Sequence, residues 1–348
     1  MATLPKTFQK LVVHKLTSNF REAVKIETVN MCHPKNDEIC VKNKYVGVNA
    51  TDVNISKGRY FVDATKLPFD IGFEGVGEVV AVGADVKTYK VGDHVAYLNS
   101  KLNAYSEYTC FPAAEAFPVP DAKPEYVVLL VSGLTATTGL DKAGRITEGE
   151  SVLITAAAGG AGHVAVQWAK AAGCHVIGTC SSEDKAKILK ELGCDRIVNY
   201  KKEDLGEVLE NEYKNGVDVI WETIGGKVFE DCFRNIAIKG RLLVVGSISG
   251  YKTEDKAAST RLDLSTLPEK LLFKSASVQG FLLLHYQECF PTYLKYMMER
   301  LQGGELKVLV DDGKSLTGKE FFGLEGIIRA VEHLHSGKSV GKVVARIS

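Results

Sequence analysis

The most regular feature of the chain is an alternation of apolar runs and amphipathic segments between residues 151 and 281. Residues 152–155 are apolar and β-branched, which predicts a buried strand, and the apolar positions within 164–169 recur at helical spacing. Further strands are predicted at 175–178, 196–198, 217–221, 241–245 and 275–281, and helices at about 183–192, 203–214 and 227–238. Six strands separated by helices predict an α/β fold with a doubly wound parallel sheet.

The chain before residue 127 has a different pattern, with short strands, Gly-rich turns and few long helices. Strands are predicted at 9–16 and 39–48, and the whole region is interpreted as a compact β-rich domain. Residues 126–142 are predicted to be helical. The tail from about residue 287 has helical stretches and ends in a strand over 341–346 that could rejoin the first domain.

Composition narrows the possible partners. The 348 residues include 43 Lys plus Arg and 43 Asp plus Glu, so no net basic field favours nucleic acid or an anionic membrane. No uncharged apolar run approaches transmembrane length, and the first ten residues lack the apolar segment of a signal peptide. We therefore expect a cytoplasmic protein. The eight cysteines include no Cys-x-x-Cys pair and are expected to be reduced thiols, most of them small core residues.

The turn after the first strand of the alternation has the character of a phosphate-binding turn. It reads Ala157-x-Gly159-x-x-Gly162, with alanine where the first glycine usually stands, and Gly160 and Ala161 lie within it. A glycine lets the backbone approach a pyrophosphate, and the following helix N-terminus presents N–H groups and positive dipole to the anion. The sequence therefore predicts a dinucleotide site; the alternative is a tight turn in another kind of α/β protein.

Several short motifs together resemble the medium-chain dehydrogenase/reductase family over essentially the whole chain. They are GVNATD at 47–52, GFEGVGEVV at 72–80, VGDHV at 91–95, SGLTA at 132–136, AAAGGAG at 156–162, GTCSSEDK at 178–185 and GKVV at 341–344. The resemblance implies a GroES-like catalytic domain over residues 1–127 and 282–348. A Rossmann domain that binds NADP(H) would occupy residues 128–281, with the active site in the cleft between them.

The zinc-dependent members of that family hold a catalytic metal with Cys, His and Cys or Asp at matching motifs. Here Asn49, Phe73 and Ser132 stand at those positions, and only Cys110 lies where a four-cysteine structural lobe is expected. Zinc sites are built from thiolate, imidazole or carboxylate, so we predict no metal. This absence indicates the zinc-free branch, which resembles the quinone oxidoreductases and prostaglandin reductases.

The second strand of the alternation favours NADPH over NADH. An NAD site carries an acid near the end of that strand, whereas here Thr179 to Ser182 contain none, and Glu183 and Asp184 are expected to start the next helix. By resemblance, Lys185 binds the adenosine phosphate, and the alternative is a solvated helix residue. The resemblance also adds further cofactor contacts: Ser181, Tyr200, Thr135, Gly246, Phe281 and Ser339, the last replacing an asparagine common in relatives.

Hydride transfer to the β-carbon of an enone leaves an enolate that needs a hydrogen-bond donor, and the α-carbon must then take a proton. By resemblance, Tyr251 positions the nicotinamide ribose hydroxyl, which donates to the enolate. Tyr60 and Asn49 match residues that line the nicotinamide pocket of quinone oxidoreductases. The alternatives are a half-buried aromatic for Tyr60 and a turn residue for Asn49. The polar segment 252–266 is expected to form part of the substrate wall.

The resemblance implies NADPH-dependent reduction of the conjugated C=C bond of enones, with 15-oxo-prostaglandins as the expected substrates. Two alternatives stay open: a quinone oxidoreductase that uses the same NADPH site, and a non-catalytic NADPH-binding protein. A homodimer is expected by analogy, through the edge strand at 275–281, where Val278 and Phe281 could extend the sheet across a two-fold axis.

Overall fold

The computed structural model describes residues 4–60, 62–63, 65–251 and 267–348. The chain divides into two compact units, unit 1 (Met1–Val131 and Leu309–Ser348) and unit 2 (Ser132–Val308). The predicted domain limits lay at 127 and 281. Each unit has its own β-structure and its own apolar core.

The secondary structure elements are numbered in chain order. The strands are β1 (Thr7–Val13), β2 (Val24–Asn30), β3 (Glu38–Gly47), β4 (Phe69–Asp70), β5 (Glu74–Val82), β6 (His94–Leu98), β7 (Tyr108–Pro112), β8 (Ala116–Pro118), β9 (Ser151–Ile154), β10 (His175–Cys180), β11 (Arg196–Asn199), β12 (Val217–Glu222), β13 (Ile236–Val244), β14 (Ser277–Gly280), β15 (Val310–Asp311) and β16 (Lys342–Arg346). The α-helices are α1 (Phe20–Ala23), α2 (Asp52–Ser56), α3 (Glu125–Val128), α4 (Thr135–Thr138), α5 (Gly162–Ala171), α6 (Glu183–Glu191), α7 (Leu205–Glu212), α8 (Lys227–Arg234), α9 (Leu267–Lys274), α10 (Phe290–Gln302), α11 (Lys314–Thr317) and α12 (Gly323–Leu334).

Shorter helical segments complete the description. The 3₁₀ turns are Ala113–Glu115, Ile248–Gly250 and Leu283–Cys289, and the π-helical turns are Leu129–Leu134 and Gly139–Gly144. The helix predicted over 126–142 is therefore a run of short α and π turns from Glu125 to Gly144 rather than one regular helix.

Unit 2 is built on a six-stranded sheet in the order β11-β10-β9-β12-β13-β14, and every neighbouring pair is parallel. The predicted doubly wound parallel sheet is confirmed. The apolar strand residues pack with the helices into one core, in which Leu153, Ile177 and Ile220 are fully buried. Because the chain order reverses between β9 and β12, the carboxyl ends of these two strands are where such sheets bind ligands.

The helix predicted over 227–238 was wrong at its C-terminal end. Helix α8 ends at Arg234, because the Asn235 side chain donates to the carbonyl oxygen of Asp231 and closes the last turn. Residue Ile236 already lies in β13, opposite Val217 of β12. The strand therefore begins five residues before the predicted 241.

Unit 1 contains a curled seven-stranded GroES-like sheet and a small three-stranded sheet, ordered β2-β1-β4. The larger sheet runs β15-β16-β3-β5-β6-β8, and β7 pairs with β3. The predicted return of the final strand is confirmed, since β16 pairs antiparallel with β3 and places Val344 opposite Gly47. That pairing brings Lys342 to the carboxyl end of β3, where the GVNATD motif begins.

Within the described residues, no helix is both long enough and apolar enough to cross a membrane.

Candidate cofactor site and polar cluster

The turn after β9 is held by hydrogen bonds to the neighbouring strand β10. Ala156 adopts a left-handed backbone conformation with φ of 47°, and its N–H donates to the Thr179 hydroxyl at 3.1 Å. The N–H of Ala157 donates to the carbonyl oxygen of Thr179 at 3.0 Å. The turn is thus fixed at the carboxyl edge of the sheet before the next helix begins.

Helix α5 begins at Gly162, and no side chain in the described part of the chain caps it. A Cβ atom on Gly162 would lie 2.8 Å from the Cα of Ala157, so only glycine permits this close approach of helix and turn. Gly159, Gly160 and Ala161 are half-buried at the mouth of the turn. A helix N-terminus that opens onto a glycine turn is well suited to bind a phosphate anion.

His163 supports the turn by hydrogen bonding, and sequence reasoning missed this residue. The side chain is fully buried, and both its backbone N–H (3.1 Å) and its Nδ1 (2.9 Å) contact the carbonyl oxygen of Gly159. Burial lowers the pKa of His163 to about 4, so the imidazole is neutral at pH 7. Any positive charge facing a bound phosphate must therefore come from the helix terminus and from other side chains.

The predicted adenosine-phosphate residues lie at the same edge of the sheet. Ser181 directly follows β10 and Tyr200 directly follows β11, which pair in parallel so that Cys180 lies opposite Asn199. Tyr200 is 51% exposed. The structure thus brings Ser181 and Tyr200 to neighbouring strand ends, as their positions after adjacent parallel strands require.

Lys185 lies in the first turn of α6 and is half-buried. Ser182 caps that helix, because its hydroxyl accepts from the Lys185 N–H at 3.3 Å. Glu183 and Asp184 start the helix, as predicted. The Glu183 carboxylate receives the Asn199 amide at 2.8 Å and the Lys202 ammonium at 2.9 Å. This acid is therefore engaged with β11 and its following loop.

The remaining predicted cofactor residues of unit 2 follow β13 and β14 or start α4. Gly246 lies two residues after β13, and a Cβ there would come within 3.3 Å of the Tyr251 hydroxyl oxygen. The Tyr251 hydroxyl accepts from the Ser247 N–H at 3.3 Å. Phe281 is buried directly after β14 and stacks on Tyr286 with a centroid distance of 5.0 Å. Thr135 begins α4 and is half-buried.

Unit 1 contains a buried cluster of three polar side chains around Asn49, here called the polar cluster: Asn49, Glu74 and Lys342. The Asn49 amide donates to Glu74 Oε1 at 2.9 Å, and its oxygen accepts from Lys342 Nζ at 2.7 Å. Lys342 and Glu74 form an ion pair at 2.5 Å with side chains only 2% and 0% exposed. The other Glu74 oxygen accepts from the Val131 N–H at 2.7 Å.

The polar cluster depends on a small residue in β3. A Cβ atom on Gly47 would lie 2.7 Å from the Glu74 carboxyl carbon and from a Val127 methyl group. Glycine therefore leaves the space in which the Glu74 carboxylate meets Lys342. Asn49 is more than a turn residue that bonds its own backbone, since its side chain joins a carboxylate and an ammonium from distant parts of the chain.

A second buried acid, Asp52, lies beside the polar cluster. Its Oδ2 accepts from the Asn49 N–H at 2.8 Å and from the Tyr105 hydroxyl at 2.5 Å. Its Oδ1 has no hydrogen-bond partner among the described residues. Burial raises the pKa of Asp52 to about 7, against the opposing effects of these hydrogen bonds and of the nearby Lys342 ammonium.

The polar cluster does not fit a catalytic zinc ion. The oxygen of Asn49, the residue at the position of the first zinc ligand, receives the Lys342 ammonium, and its nitrogen is a donor. The half-buried Phe73 offers no ligand atom. The buried Lys342 ammonium beside Asn49 already neutralises the Glu74 carboxylate, so the polar cluster offers no unpaired carboxylate to a divalent cation.

Three further parts of the predicted site lie outside both the turn after β9 and the polar cluster. Tyr60 follows α2 in unit 1 and is 43% exposed. Ser339 lies in unit 1 and is half-buried. The next residue, Val340, donates its N–H to the Asp311 carboxylate at 3.0 Å. The segment 252–266, the expected substrate wall, lies outside the described residues.

Three of the residues that sequence reasoning missed share one property. Glu74, Asp52 and Lys342 are polar side chains inside motifs that served only to recognise the family, GFEGVGEVV, GVNATD and GKVV. A charged residue within an otherwise apolar and Gly-rich stretch is the signal that could have found them, because buried charges need partners.

Comparisons with known proteins agree with this architecture. Residues 35–121 match the family of alcohol dehydrogenase GroES-like domains, and residues 160–299 match the zinc-binding dehydrogenase family. Prostaglandin reductase-3 of Bos taurus is 47% identical over 348 residues, covering 99% of this chain and 91% of the relative. The chain belongs to the medium-chain dehydrogenase/reductase family.

This medium-chain dehydrogenase/reductase is similar to other members of the quinone oxidoreductase-like branch. The 2-alkenal reductase (NADP(+)-dependent) of Nicotiana tabacum is 32% identical over 336 residues, covering 93% of this chain and 92% of the relative. The crystal structure of Escherichia coli quinone oxidoreductase complexed with NADPH superposes with a TM-score of 0.84 at 29% identity. It covers 97% of this chain and 99% of its own.

Proposed function

We propose that this oxidoreductase uses NADPH to reduce the conjugated C=C bond of enones and alkenals, and that 15-oxo-prostaglandins are among its substrates. The observation that carries the proposal is the turn Ala156–Gly162 at the carboxyl edge of a parallel sheet, followed by the uncapped start of α5. The named relatives, a prostaglandin reductase and an alkenal reductase, support the substrate class.

The choice of NADPH rests on the edge formed by β10 and β11. Ser181, Lys185 and Tyr200 are proposed to hold the adenosine phosphate, because a hydroxyl, an ammonium and an exposed aromatic ring lie after adjacent strands. Both acids that follow β10 are engaged, Glu183 with Lys202 and Asn199, and Asp184 with Lys187. An unpaired carboxylate at this edge would repel the ribose phosphate of NADPH. A carboxylate that is already paired with a cation repels it much less.

NADPH, when bound, supplies the hydride that adds to the β-carbon of the enone. The chain must then stabilise the enolate oxygen and deliver a proton to the α-carbon. We assign Tyr251 to positioning the cofactor ribose, whose hydroxyl would donate to the enolate, and Tyr60 and Asn49 to the substrate side. Asn49 is suited to this because Glu74 and Lys342 hold its amide in one orientation.

The reaction is proposed to need no zinc. An alcohol dehydrogenase needs a Lewis acid on the alkoxide oxygen, whereas hydride addition to a conjugated double bond gives an enolate that hydrogen-bond donors stabilise. The ammonium of Lys342, which meets Asn49 and Glu74, supports this assignment.

A homodimer is proposed through β14, which lies at one end of the unit 2 sheet and carries half-buried Val278. Light scattering should give twice the mass of the 37.9 kDa chain, and a monomer would refute the assignment.

The deciding experiment follows NADPH oxidation at 340 nm with a 15-oxo-prostaglandin, an alkenal and a quinone side by side, and repeats each with NADH. Turnover of the two enones with a clear preference for NADPH is expected. Activity on the quinone alone would favour a quinone oxidoreductase, the function named for the Escherichia coli neighbour. NADPH binding without any turnover would indicate a non-catalytic binding protein.

A further inference from the structure

Three cysteines of unit 1 meet at one point of its sheet, far along the chain from one another. Cys40 lies in β3, Cys110 lies opposite it in β7, and Cys32 follows β2. Their sulfur atoms all lie within 4.8 Å of one another. We call this group the thiol cluster.

The sulfur distances within the thiol cluster are unequal. Cys110 Sγ donates to Cys32 Sγ at 2.8 Å, closer than two unbonded sulfur atoms ordinarily approach, whereas Cys32 Sγ and Cys40 Sγ are 3.9 Å apart. Cys40 is fully buried and Cys110 nearly so, while Cys32 is half-buried. One thiol is therefore within reach of a small solute, and the nearest second thiol lies behind it.

The environment favours a neutral product. The cluster packs against apolar side chains, namely Phe8, Val29, Met31, Val80 and Tyr108. The nearby Lys101 ammonium is engaged by Glu38 at 2.6 Å and by the Cys110 carbonyl oxygen at 3.2 Å. A disulfide replaces two polar thiols by an uncharged bond, which suits such surroundings.

We propose that Cys32 is an oxidant-sensitive thiol that reacts with a hydroperoxide and then forms a disulfide with Cys110. The Cys32 thiolate attacks one peroxide oxygen, the O–O bond breaks, and a sulfenic acid and hydroxide form. Cys110 sulfur then attacks Cys32 sulfur, the S–O bond breaks, and the leaving hydroxyl takes the Cys110 proton as water. The hydroxide takes up the proton that Cys32 released on ionisation, so two thiols lose two electrons and hydrogen peroxide gains them to become two waters.

The hydrogen bonds in the cluster support Cys32 as the attacking thiol. The hydrogen bond from Cys110, and then the contact with Cys40, lowers the pKa of Cys32, while hydrogen bonding among the thiols raises the pKa of the other two. The thiolate is the reactive form of cysteine, so the most accessible member of the cluster is also the one whose contacts favour the thiolate.

A soft metal ion is the competing occupant of three thiols. Zinc binds thiolates at about 2.3 Å, which spaces the sulfur atoms of a tetrahedral site by roughly 3.8 Å. The pair Cys32 and Cys40 matches that spacing, but Cys32 and Cys110 are about 1 Å closer. Three thiolates would also place three negative charges among apolar side chains. The geometry therefore favours the disulfide.

Trypsin makes the test specific, because it separates the three cysteines. Cleavage after Lys25, Lys35 and Lys42 places Cys32 and Cys40 on different peptides, and cleavage after Lys101 places Cys110 on a third. Full-length protein is reduced, freed of reductant, treated with one equivalent of hydrogen peroxide, alkylated and mapped by mass spectrometry. We expect the free thiols to fall from eight to six, with a cross-link between the Cys32 and Cys110 peptides that dithiothreitol removes.

Matched variants sharpen the test. In Cys110→Ser the cross-link should vanish and Cys32 should be trapped as a sulfenic acid by dimedone. Cys40→Ser and Cys289→Ser, the latter at the other half-buried thiol, should leave the Cys32–Cys110 cross-link unchanged.

Three results with the wild-type protein would overturn the proposal. They are a cross-link to the Cys40 peptide in its place, oxidation spread evenly over the eight cysteines, and a stoichiometric bound metal that protects all three thiols.

Discussion

Both units hold buried polar side chains at a candidate site, but the side chains are neutral in unit 2 and charged in unit 1. Unit 2 forms its turn from backbone groups, and its buried His163 is neutral. Unit 1 instead buries a charged pair, Glu74 and Lys342, beside a buried acid, Asp52. Burial disfavours the charged form in both, so it lowers the pKa of the histidine and raises that of the aspartate.

The comparison shows two ways to supply positive charge at a site. A dinucleotide turn needs no charge of its own, since N–H groups and the helix dipole face the phosphate. Unit 1 instead places an ammonium, that of Lys342 from its last strand, against Asn49 and Glu74. Unit 1 should therefore be sensitive to single charge removals, and unit 2 to the geometry of its turn.

The largest effect is expected from Lys342→Met. This change leaves the fully buried Glu74 carboxylate without its cation, which should lower the free energy of unfolding of unit 1 by about 3–5 kcal/mol. Amide hydrogen exchange of β3 and β16 measures it. The double variant Lys342→Met/Glu74→Gln should recover a large part of the loss. The control is the exposed ion pair of Lys187 and Asp184. Breaking it with Lys187→Met should lower the free energy of unfolding by less than about 0.5 kcal/mol.

Asp52→Asn should change how the stability of unit 1 depends on pH. The folded chain keeps the Asp52 proton up to about pH 7, while the unfolded chain releases it near 3.8. Stability should thus fall as pH rises from 3.8 to 7, by up to about 4 kcal/mol, and be flat on either side. The asparagine variant should lose this slope. Hydrogen exchange of unit 1 at several pH values measures it, and an unchanged slope would contradict the assignment.

His163→Gln should change the pH dependence of unit 2 in the opposite sense. The folded chain releases the His163 proton at about pH 4, and the unfolded chain at 6.5. Stability should therefore fall as pH drops from 6.5 to 4, by about 3 kcal/mol, and be flat above 6.5. Both tryptophans, Trp168 and Trp221, lie in unit 2, so their fluorescence reports its unfolding. If the His163→Gln variant loses as much stability between pH 6.5 and pH 4 as the wild-type protein does, the prediction is wrong.

Lys185→Ala should have the smallest effect and should act on binding alone. Loss of one charge-assisted contact to the adenosine phosphate should weaken NADPH binding about 10- to 100-fold, or about 1.4–2.7 kcal/mol, and leave NADH binding unchanged. Titration of cofactor fluorescence measures both. The control is Lys187→Ala, two residues along the same helix and exposed. Equal losses for both cofactors would show that Lys185 supports the fold rather than the phosphate.

Local patterns were enough to predict the sheet of unit 2. Its strands are apolar runs, its helices amphipathic, and the right-handed crossover rule orders parallel strands. The helix predicted over 227–238 failed because the Asn235 cap and the pairing of Ile236 with β12 end it. Tertiary pairing outweighed the local pattern there.

A local pattern could single out the charged residues of the polar cluster but not their contacts. Asn49 and Lys342 are 293 residues apart, and only the pairing of β16 with β3 brings them together. Cys32 and Cys110 are 78 residues apart and meet for the same kind of reason. A sequence read alone shows that such residues exist, whereas their contacts depend on the register of the sheet.

The fate of deuterium carried by 4-deuterated NADPH tests the central claim most directly. The enzyme is incubated with the labelled cofactor and a 15-oxo-prostaglandin or a simpler enone, and the product is examined by NMR. Reduction of the conjugated double bond predicts deuterium on the β-carbon of a saturated ketone. Deuterium on the carbonyl carbon of an unsaturated alcohol would contradict it and would return the chain to the alcohol-forming chemistry of its zinc-dependent relatives.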